Sequence, residues 1–334
     1  MPRVSVIIPT YNRATPLQRA IDSVLAQTVT DIECIVVDDA STDDTQAVLA
    51  EYDDPRLRTF QHEENRGANV ARNTGLDQAE GEYVALLDSD DEWKPEKLER
   101  QLARLEVAPD DWVAAYCDWE YDLGGSSDGL KRRIAALLDR AEADHPTEGG
   151  GDELVREILA DNLHTGAGST LLVETEVARE VGGFDEDLDR FQDTEFALRV
   201  VQAGKLAHVA EPLMIRHDTA SPSAETYRDA NEALLAKYED TIDELEAEGH
   251  DVRSQRNLFV AKHFLAEGRP VAGTRYLRQA AVSSHEVPGV LAAVARGATQ
   301  RKRAAVVAMS MVTALTLVVG LTRAYTHARA SDSA

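Results

Sequence analysis

Basic residues are in short supply. The 334-residue chain carries 60 acids against 35 bases, a formal net charge of −25, and only seven of those bases are lysines. A surface of that sign repels phosphate backbones, which excludes general nucleic-acid binding. It suits a solvated acidic shell at high salt, where screening shortens self-repulsion to roughly 3 Å at 1 M, and it points to a salt-loving source. Acids as such therefore say little here; their placement says more.

Other absences narrow the field further. There are two cysteines, Cys34 and Cys117, each inside a short apolar segment, which fits packing and neither a disulfide framework nor a metal knuckle. No G-x-G-x-x-G is present, so the dinucleotide reading loses its main support, and no G-x-x-x-x-G-K-[ST] is present, which removes a P-loop nucleotidase. The opening "MPRVSVIIPTYN" reaches a polar turn after a few apolar residues; no secretory leader is expected there, and the first strand is expected to fold in the cytoplasm.

What is there begins with alternation of strands and helices. "VSVIIP" (4–9), "IECIVVDD" (32–39), "LRTF" and "YVALLD" (83–88) are apolar runs. Between them lie helical patterns: one with Leu17, Ile21, Val24 and Leu25 on a single face, one opening at "STDDTQAVLAEY", and "ANVARNTGLDQA". Continuous apolar strands separated by helices predict an α/β domain with a parallel sheet covered on both faces. Residues 122–152, with "GGSSDG" and "EGGGD" around a basic amphipathic helix, read as an inserted excursion. Residues 224–283 read as helices with charged outer faces. Last comes "RKR" (301–303) and then 304–322, nineteen residues without a charge. A helix of that length spans about 28 Å, close to the hydrocarbon thickness of a bilayer. A membrane span and a buried helix on the soluble domain both stay open, the span favoured. Arg296, Arg301, Lys302 and Arg303 before the run, against Arg323 and Arg329 after it, put the large domain on the cytoplasmic side.

Three polar clusters stand at the carboxyl ends of strands, where open α/β sheets bind ligands: "PTYNR", "DDASTDD" and "DSDDEW". Strand alternation would turn Asp88 and Asp90 to one side. Paired carboxylates suit Mg²⁺ or Mn²⁺, and such an ion can in turn hold phosphates. Asp91 has another reading, as cap of the helix expected at "WKPEKLERQLARL".

"VSVIIPTYNR", "VVDDASTDDT", "NRGANVARNTGL", "YVALLDSDDEW" and "GGFDEDLDRFQDTEFALRV" occur in this order, and the series resembles the family 2 inverting glycosyltransferases over roughly residues 3–220. The resemblance implies a GT-A fold, a Rossmann-like mostly parallel sheet with helices on both faces. Here that domain, 1–222, would be followed by a helical region, 223–300, and a transmembrane anchor with a short tail, 301–334. It also implies roles. Pro9, Thr10, Tyr11 and Asn12 would line the base and ribose pocket, Asp39 would accept a hydrogen bond from the base, Arg72 would lie near the nucleotide, and Asp88 would face the ribose. Asp90 would ligate a divalent metal carrying the diphosphate, with His217 completing the metal site as in some relatives. Asp193 would be the base that deprotonates the acceptor hydroxyl, Glu195 being its neighbouring rival. "HTGAGST" (164–170) matches a loop opened towards the acceptor. "QDTEF" departs from the Glu-Asp-aromatic-Asp pattern of simpler members, which puts the acceptor class in doubt and leaves the reaction type standing.

Tyr11 as a plain turn tyrosine, Asp39 as a helix cap, Arg72 paired with a surface acid, Asp193 as a helix-start carboxylate and His217 as a surface histidine are the bland alternatives. The expectation is a metal-dependent transferase using a nucleotide-diphosphate sugar and resembling haloarchaeal enzymes of lipid-linked glycan assembly. Its acceptor would be a lipid-linked glycan, dolichyl-phosphate-borne, on the way to surface-layer N-glycosylation. The rivals are a dolichyl-phosphate sugar synthase, a soluble exopolysaccharide enzyme and a non-catalytic nucleotide-sugar-binding scaffold.

Overall fold

The computed structural model describes residues 1–122, 147–163, 168–217, 222–283 and 286–300. They fall into two units. One holds residues 1–122, 147–158 and 163–217; the other holds 159–162 and the described residues from 222 onward.

The first unit is built on an eight-stranded sheet. Its strands are β1 (Val4–Thr10), β2 (Ile32–Asp38), β3 (Leu57–Gln61), β4 (Tyr83–Leu86), β5 (Asp91–Trp93), β6 (Trp112–Tyr121), β7 (Leu172–Glu174) and β8 (Lys205–Arg216). Their order across the sheet is β3-β2-β1-β4-β7-β6-β8-β5. The first four are parallel to one another, as the apolar runs predict. The rest corrects "mostly parallel" to mixed: β7 runs antiparallel to both β4 and β6, β6 runs parallel to β8, and β5 antiparallel to β8. Strands of three residues, such as β5 and β7, are too short to show a period.

Both faces of the parallel half are covered. Val4, Val6 and Ile8 of β1 pack with Leu17, Ile21 and Val24 of α1 (Ala14–Leu25) and Leu98, Leu102 and Leu105 of α4 (Lys97–Glu106). Ile7 points to the opposite face, as strand alternation requires. There α3 (Ala68–Gln78) approaches so closely that a Cβ on Gly75 would lie 2.4 Å from Ile7 Cγ2. Cys34 and Cys117 are buried free thiols in β2 and β6. Between β2 and β3 lies α2 (Thr45–Ala50); α5 (Gly151–Leu159), α6 (Thr175–Glu180) and α7 (Gln192–Ala203) complete the helices up to residue 217.

The second unit contains α8 (Ala224–Lys237), α9 (Glu239–Ala247), α10 (Val252–Ala266), α11 (Pro270–Leu277) and α12 (Val287–Gln300). Leu258, Ala261, Leu265, Leu277 and Val290 form its core. Gly273 lets α11 close on Leu265, where a Cβ would meet Leu265 Cγ at 2.6 Å. Among the described residues no helix is long and apolar enough to cross a membrane. The candidate span 304–322, the tail to 334 and most of the excursion at 122–152 lie outside the described residues.

Candidate active site

The carboxyl ends of β1, β2 and β4 open onto one region, and the loops leaving them are stapled together. Asn12, at φ 51°, donates its backbone N–H to Ser41 Oγ at 2.8 Å and accepts the Thr42 N–H on Oδ1 at 2.7 Å. Tyr11 beside it is 45 % exposed. Pro9 and Thr10 are buried in β1, and Thr10 Oγ1 has no hydrogen-bond partner among the described residues.

Asp39 is buried, and three donors converge on it. Arg66 N–H and Gly67 N–H reach Oδ1 and Oδ2 at 2.9 and 2.7 Å, and His62 Nδ1 lies 2.7 Å from Oδ1. Because the carboxylate only accepts, His62 Nδ1 carries a proton, and its Nε2 lies 3.0 Å from Thr74 Oγ1. Asp39 does not cap α2, whose first turn is served by Asp43 through Thr45 N–H at 3.0 Å.

At the tip of β4 the backbone does not stay extended. It turns, with Asp91 N–H bonded to Asp88 C=O at 3.0 Å. The alternation argument for Asp88 and Asp90 is corrected accordingly: the turn gathers Asp88, Asp90 and Asp91, each offering an oxygen within 4.8 Å of the others. Asp91 is no helix cap, since α4 begins only at Lys97; it opens β5, opposite Arg216 of β8. Burial, then the charge of Asp88, pushes its carboxyl up to about 7, while the Ser169 hydroxyl and Arg216 pull the other way.

Three hard carboxylates at that spacing fit Mg²⁺ or Mn²⁺. His217 stands outside this group. Its Nε2 is 2.9 Å from Glu92 and its Nδ1 3.2 Å from Asp122, so both ring nitrogens are engaged by other acids. Arg13 Nη1 lies 2.9 Å from Asp90 Oδ2, and Arg19 donates to the Asp90 carbonyl at 3.0 Å.

Arg72 links the acid group to the next element. Its side chain is buried; Nη1 donates to Asn69 Oδ1 at 3.1 Å and Nη2 to Asp88 Oδ1 at 2.7 Å. The same Nη2 is 4.0 Å from Asp193 Oδ1, and the guanidinium lies over the Phe184 ring, 5.2 Å from its centre. Burial works against the Arg72 charge, but Asp88 and Asp193 outweigh it and hold its pKa up. So placed, Arg72 is no surface pairing.

Asp193 sits in the first turn of α7, which opens after Phe191 in the left-handed region, φ 58°. Burial raises its carboxyl and Arg72 partly offsets that. The Gly168 N–H bonds the carboxylate, and Oδ1 is buried without a hydrogen-bond partner among the described residues. Glu195 is instead gripped by Arg199, which donates from Nε at 2.9 Å and Nη2 at 2.6 Å. Of the two acids in "QDTEF", one is tied up and the other has an oxygen to spare.

Asp91, Ser169, Arg13, His62 and Arg216 are the residues of this region to which sequence reasoning gave no role in the site. Three of them stand inside motifs, Arg13 in "PTYNR", Asp91 in "DSDDEW" and Ser169 in "HTGAGST". His62 and Arg216 have no such signal.

Residues 5–151 match the family model described as Glycosyl transferase family 2. Over 103 residues the chain is 50 % identical to TuaG of Bacillus subtilis, a match covering 30 % of this chain and 41 % of TuaG. It is 42 % identical over 102 residues to the UDP-Glc:alpha-D-GlcNAc-diphosphoundecaprenol beta-1,3-glucosyltransferase WfgD of Escherichia coli, covering 30 % of this chain and 40 % of that one. The chain thus spans less than half the length of these relatives. The crystal structure of Staphylococcus aureus TarS 1–349 with UDP-GlcNAc superposes with a TM-score of 0.54 at 20 % identity, over 98 % of this chain and 92 % of that one, a likeness of fold. Strands β2 to β6 of the GT-A-like mixed sheet and the acid turn at the end of β4 fall on residues 5–151, the region that is similar to glycosyltransferase family 2.

Proposed function

We propose that the protein is a metal-dependent inverting glycosyltransferase that moves a sugar from a nucleoside-diphosphate sugar to a hydroxyl of a lipid-linked acceptor. The observation that carries this reading is the reach of Arg72, which is 2.7 Å from Asp88 and 4.0 Å from Asp193. One buried cation thereby holds the acid group and the candidate base together.

Pro9 to Asn12 and Asp39 bind the nucleoside, with the His62, Arg66 and Gly67 donors fixing the Asp39 carboxylate. Asp88, Asp90 and Asp91 hold Mn²⁺ or Mg²⁺. The ion, when bound, neutralises charge building on the departing diphosphate. Asp193 takes the proton of the acceptor hydroxyl as that oxygen attacks the anomeric carbon from the face opposite the diphosphate. The bond to the diphosphate breaks in the same displacement, which inverts the centre. A raised carboxyl on a side chain that keeps 15 % of its surface exposed suits this role, because a base of higher pKa holds the proton more firmly.

The acceptor class rests on two supports. WfgD is named for a diphosphoundecaprenol-linked acceptor, and residues 304–322 carry no charge over a bilayer-length run. We read that run as a single-pass anchor with the catalytic unit on the cytoplasmic side. The acidic shell fits a halophilic archaeon, whose polyprenyl carrier would be dolichyl phosphate and whose product would serve surface-layer glycoproteins.

The test uses full-length protein in membranes at molar KCl with Mn²⁺ and labelled UDP-glucose, UDP-N-acetylglucosamine and GDP-mannose. Label in the lipid extract that disappears with Asp193→Asn supports the transfer and the base. Label that mild acid releases as a single sugar assigns the chain to polyprenyl-phosphate sugar synthesis, and no label from any donor overturns the proposal.

A further inference from the structure

One three-residue turn touches both halves of this site. Gly168–Thr170 is a single 3-10 turn, buried throughout, directly before β7. Ser169 Oγ accepts the Asp88 N–H at 3.0 Å and donates its one proton to Asp91 Oδ2 at 2.6 Å. Gly168, one residue earlier, lies against the candidate base: a Cβ there would come within 2.9 Å of Asp193 Oδ1 and 3.3 Å of its Cγ.

The turn is itself anchored from behind. Trp93 Nε1 donates to the Ser169 carbonyl at 2.7 Å, and Gln101 Nε2 donates to the Thr170 carbonyl at 2.8 Å. Gln101 Oε1 in turn accepts from the buried Lys97 Nζ at 2.7 Å. With its carbonyls held by β5 and α4, the turn cannot slide along the site without breaking these bonds.

We infer that Gly168 and Ser169 are positioning residues with separate duties: Ser169 fixes the geometry of the metal-holding carboxylates, and Gly168 leaves the space that the Asp193 carboxylate occupies. The inference rests on the proposed roles of Asp88, Asp90, Asp91 and Asp193. Neither residue touches substrate. Ser169 acts because a carboxylate ligand needs its own hydrogen-bond partner to keep its angle to the ion. Gly168 acts through its close approach, since its N–H bonds the Asp193 carboxylate and a methyl group there would displace that carboxylate.

Adjacent substitutions should therefore have different consequences, and Mn²⁺ binding followed by electron paramagnetic resonance reads one of them without turnover. Ser169→Ala is expected to weaken Mn²⁺ binding by about 10- to 100-fold, the usual cost of removing a ligand's supporting bond. It should add little in an Asp91→Asn background, because it acts through that carboxylate. Gly168→Ala should bind Mn²⁺ like wild type yet lose at least about tenfold in the lipid-labelling rate, mostly in kcat. Melting curves identify any variant that has failed to fold.

Ser169→Ala binding Mn²⁺ as wild type does, or Gly168→Ala losing Mn²⁺ equally, overturns the division of duties and leaves the proposed reaction intact. A wild-type protein that binds no Mn²⁺ overturns the metal-site reading and this inference with it.

Discussion

Two acids two residues apart in "QDTEF" have opposite surroundings, and the difference predicts opposite phenotypes. Asp193 has a carboxyl raised by burial and no ion-pair partner nearer than Arg72 at 4.0 Å among the described residues, and a general base in that position contributes about 10²- to 10⁴-fold. Asp193→Asn is expected to lose lipid labelling by that factor while keeping its melting temperature. Glu195, fully buried and paired with Arg199, should behave the other way round. Glu195→Gln weakens the pair and lowers stability by about 1–3 kcal/mol, with the labelling rate per folded molecule nearly kept. Because burial raises the Asp193 carboxyl, activity should fall on the acid side above the pH where a free aspartate near 3.9 titrates. A pH–rate profile of the wild type checks this.

Lys97 offers a second residue-scale prediction, now of stability. It is fully buried and burial pushes its amine from 10.5 down to about 8. The folded protein then holds fewer protons than the unfolded chain between about pH 8 and 10.5. This residue's contribution to stability therefore rises with pH across that window, and its cost is greatest below about pH 8. Each tenfold loss of proton affinity is worth roughly 1.4 kcal/mol, so the full gain is of the order of 3 kcal/mol. Urea unfolding of wild type and Lys97→Met at about pH 7 and about pH 9.5 should show the wild type gaining on the variant at the higher pH.

Elements in this fold are placed by close approach as much as by pattern. Gly75 lets α3 lie on β1, and a Cβ there would overlap Ile7 Cγ2 at 2.4 Å. Gly75→Ala is expected to cost about 1–3 kcal/mol by overpacking, read as a lowered midpoint in urea. Because α3 also carries Arg72, the variant should bind nucleotide more weakly even where it folds.

The parallel half of the sheet was legible because strands buried on both faces are apolar over most of their length, as "VSVII" and "CIVV" are, with Ser5 the one interruption. The mixed half was not, since β5 and β7 have three residues each and owe their place to partners distant in sequence. The same divide runs through the site. Asp90, Asp193 and Arg72 were found from motifs, and the structure brings them into one region. The third carboxylate was missed because it depends on a turn, and a strand continued through Asp90 would have sent Asp91 the other way. Ser169 left no signal except its place in a loop, because a hydroxyl's role is set by which donor and acceptor the fold puts beside it.

For the whole molecule the dominant quantity is the excess of 25 negative charges. Two opposed effects respond to salt. Exposed pairs such as Lys205–Asp111 and Arg253–Asp243 are worth about 0–1 kcal/mol each and weaken when screened. Mutual repulsion among the surplus acids weakens as well, and its removal stabilises the compact state. With so many acids left over after every base is counted, repulsion outweighs the pairs. The melting temperature should therefore climb between about 0.1 and 1 M KCl, as the screening length falls from about 10 to 3 Å, and level off beyond that. Most of the gain should come at the low end, where each added increment of salt shortens the screening length most. A melting temperature that fell over the same range would mean that the arginine–carboxylate pairs hold the fold together and that the acidic surface is no adaptation to salt. In that case the halophilic part of the proposed setting would fail, while the chemistry assigned to Asp193 and the acid turn would stand.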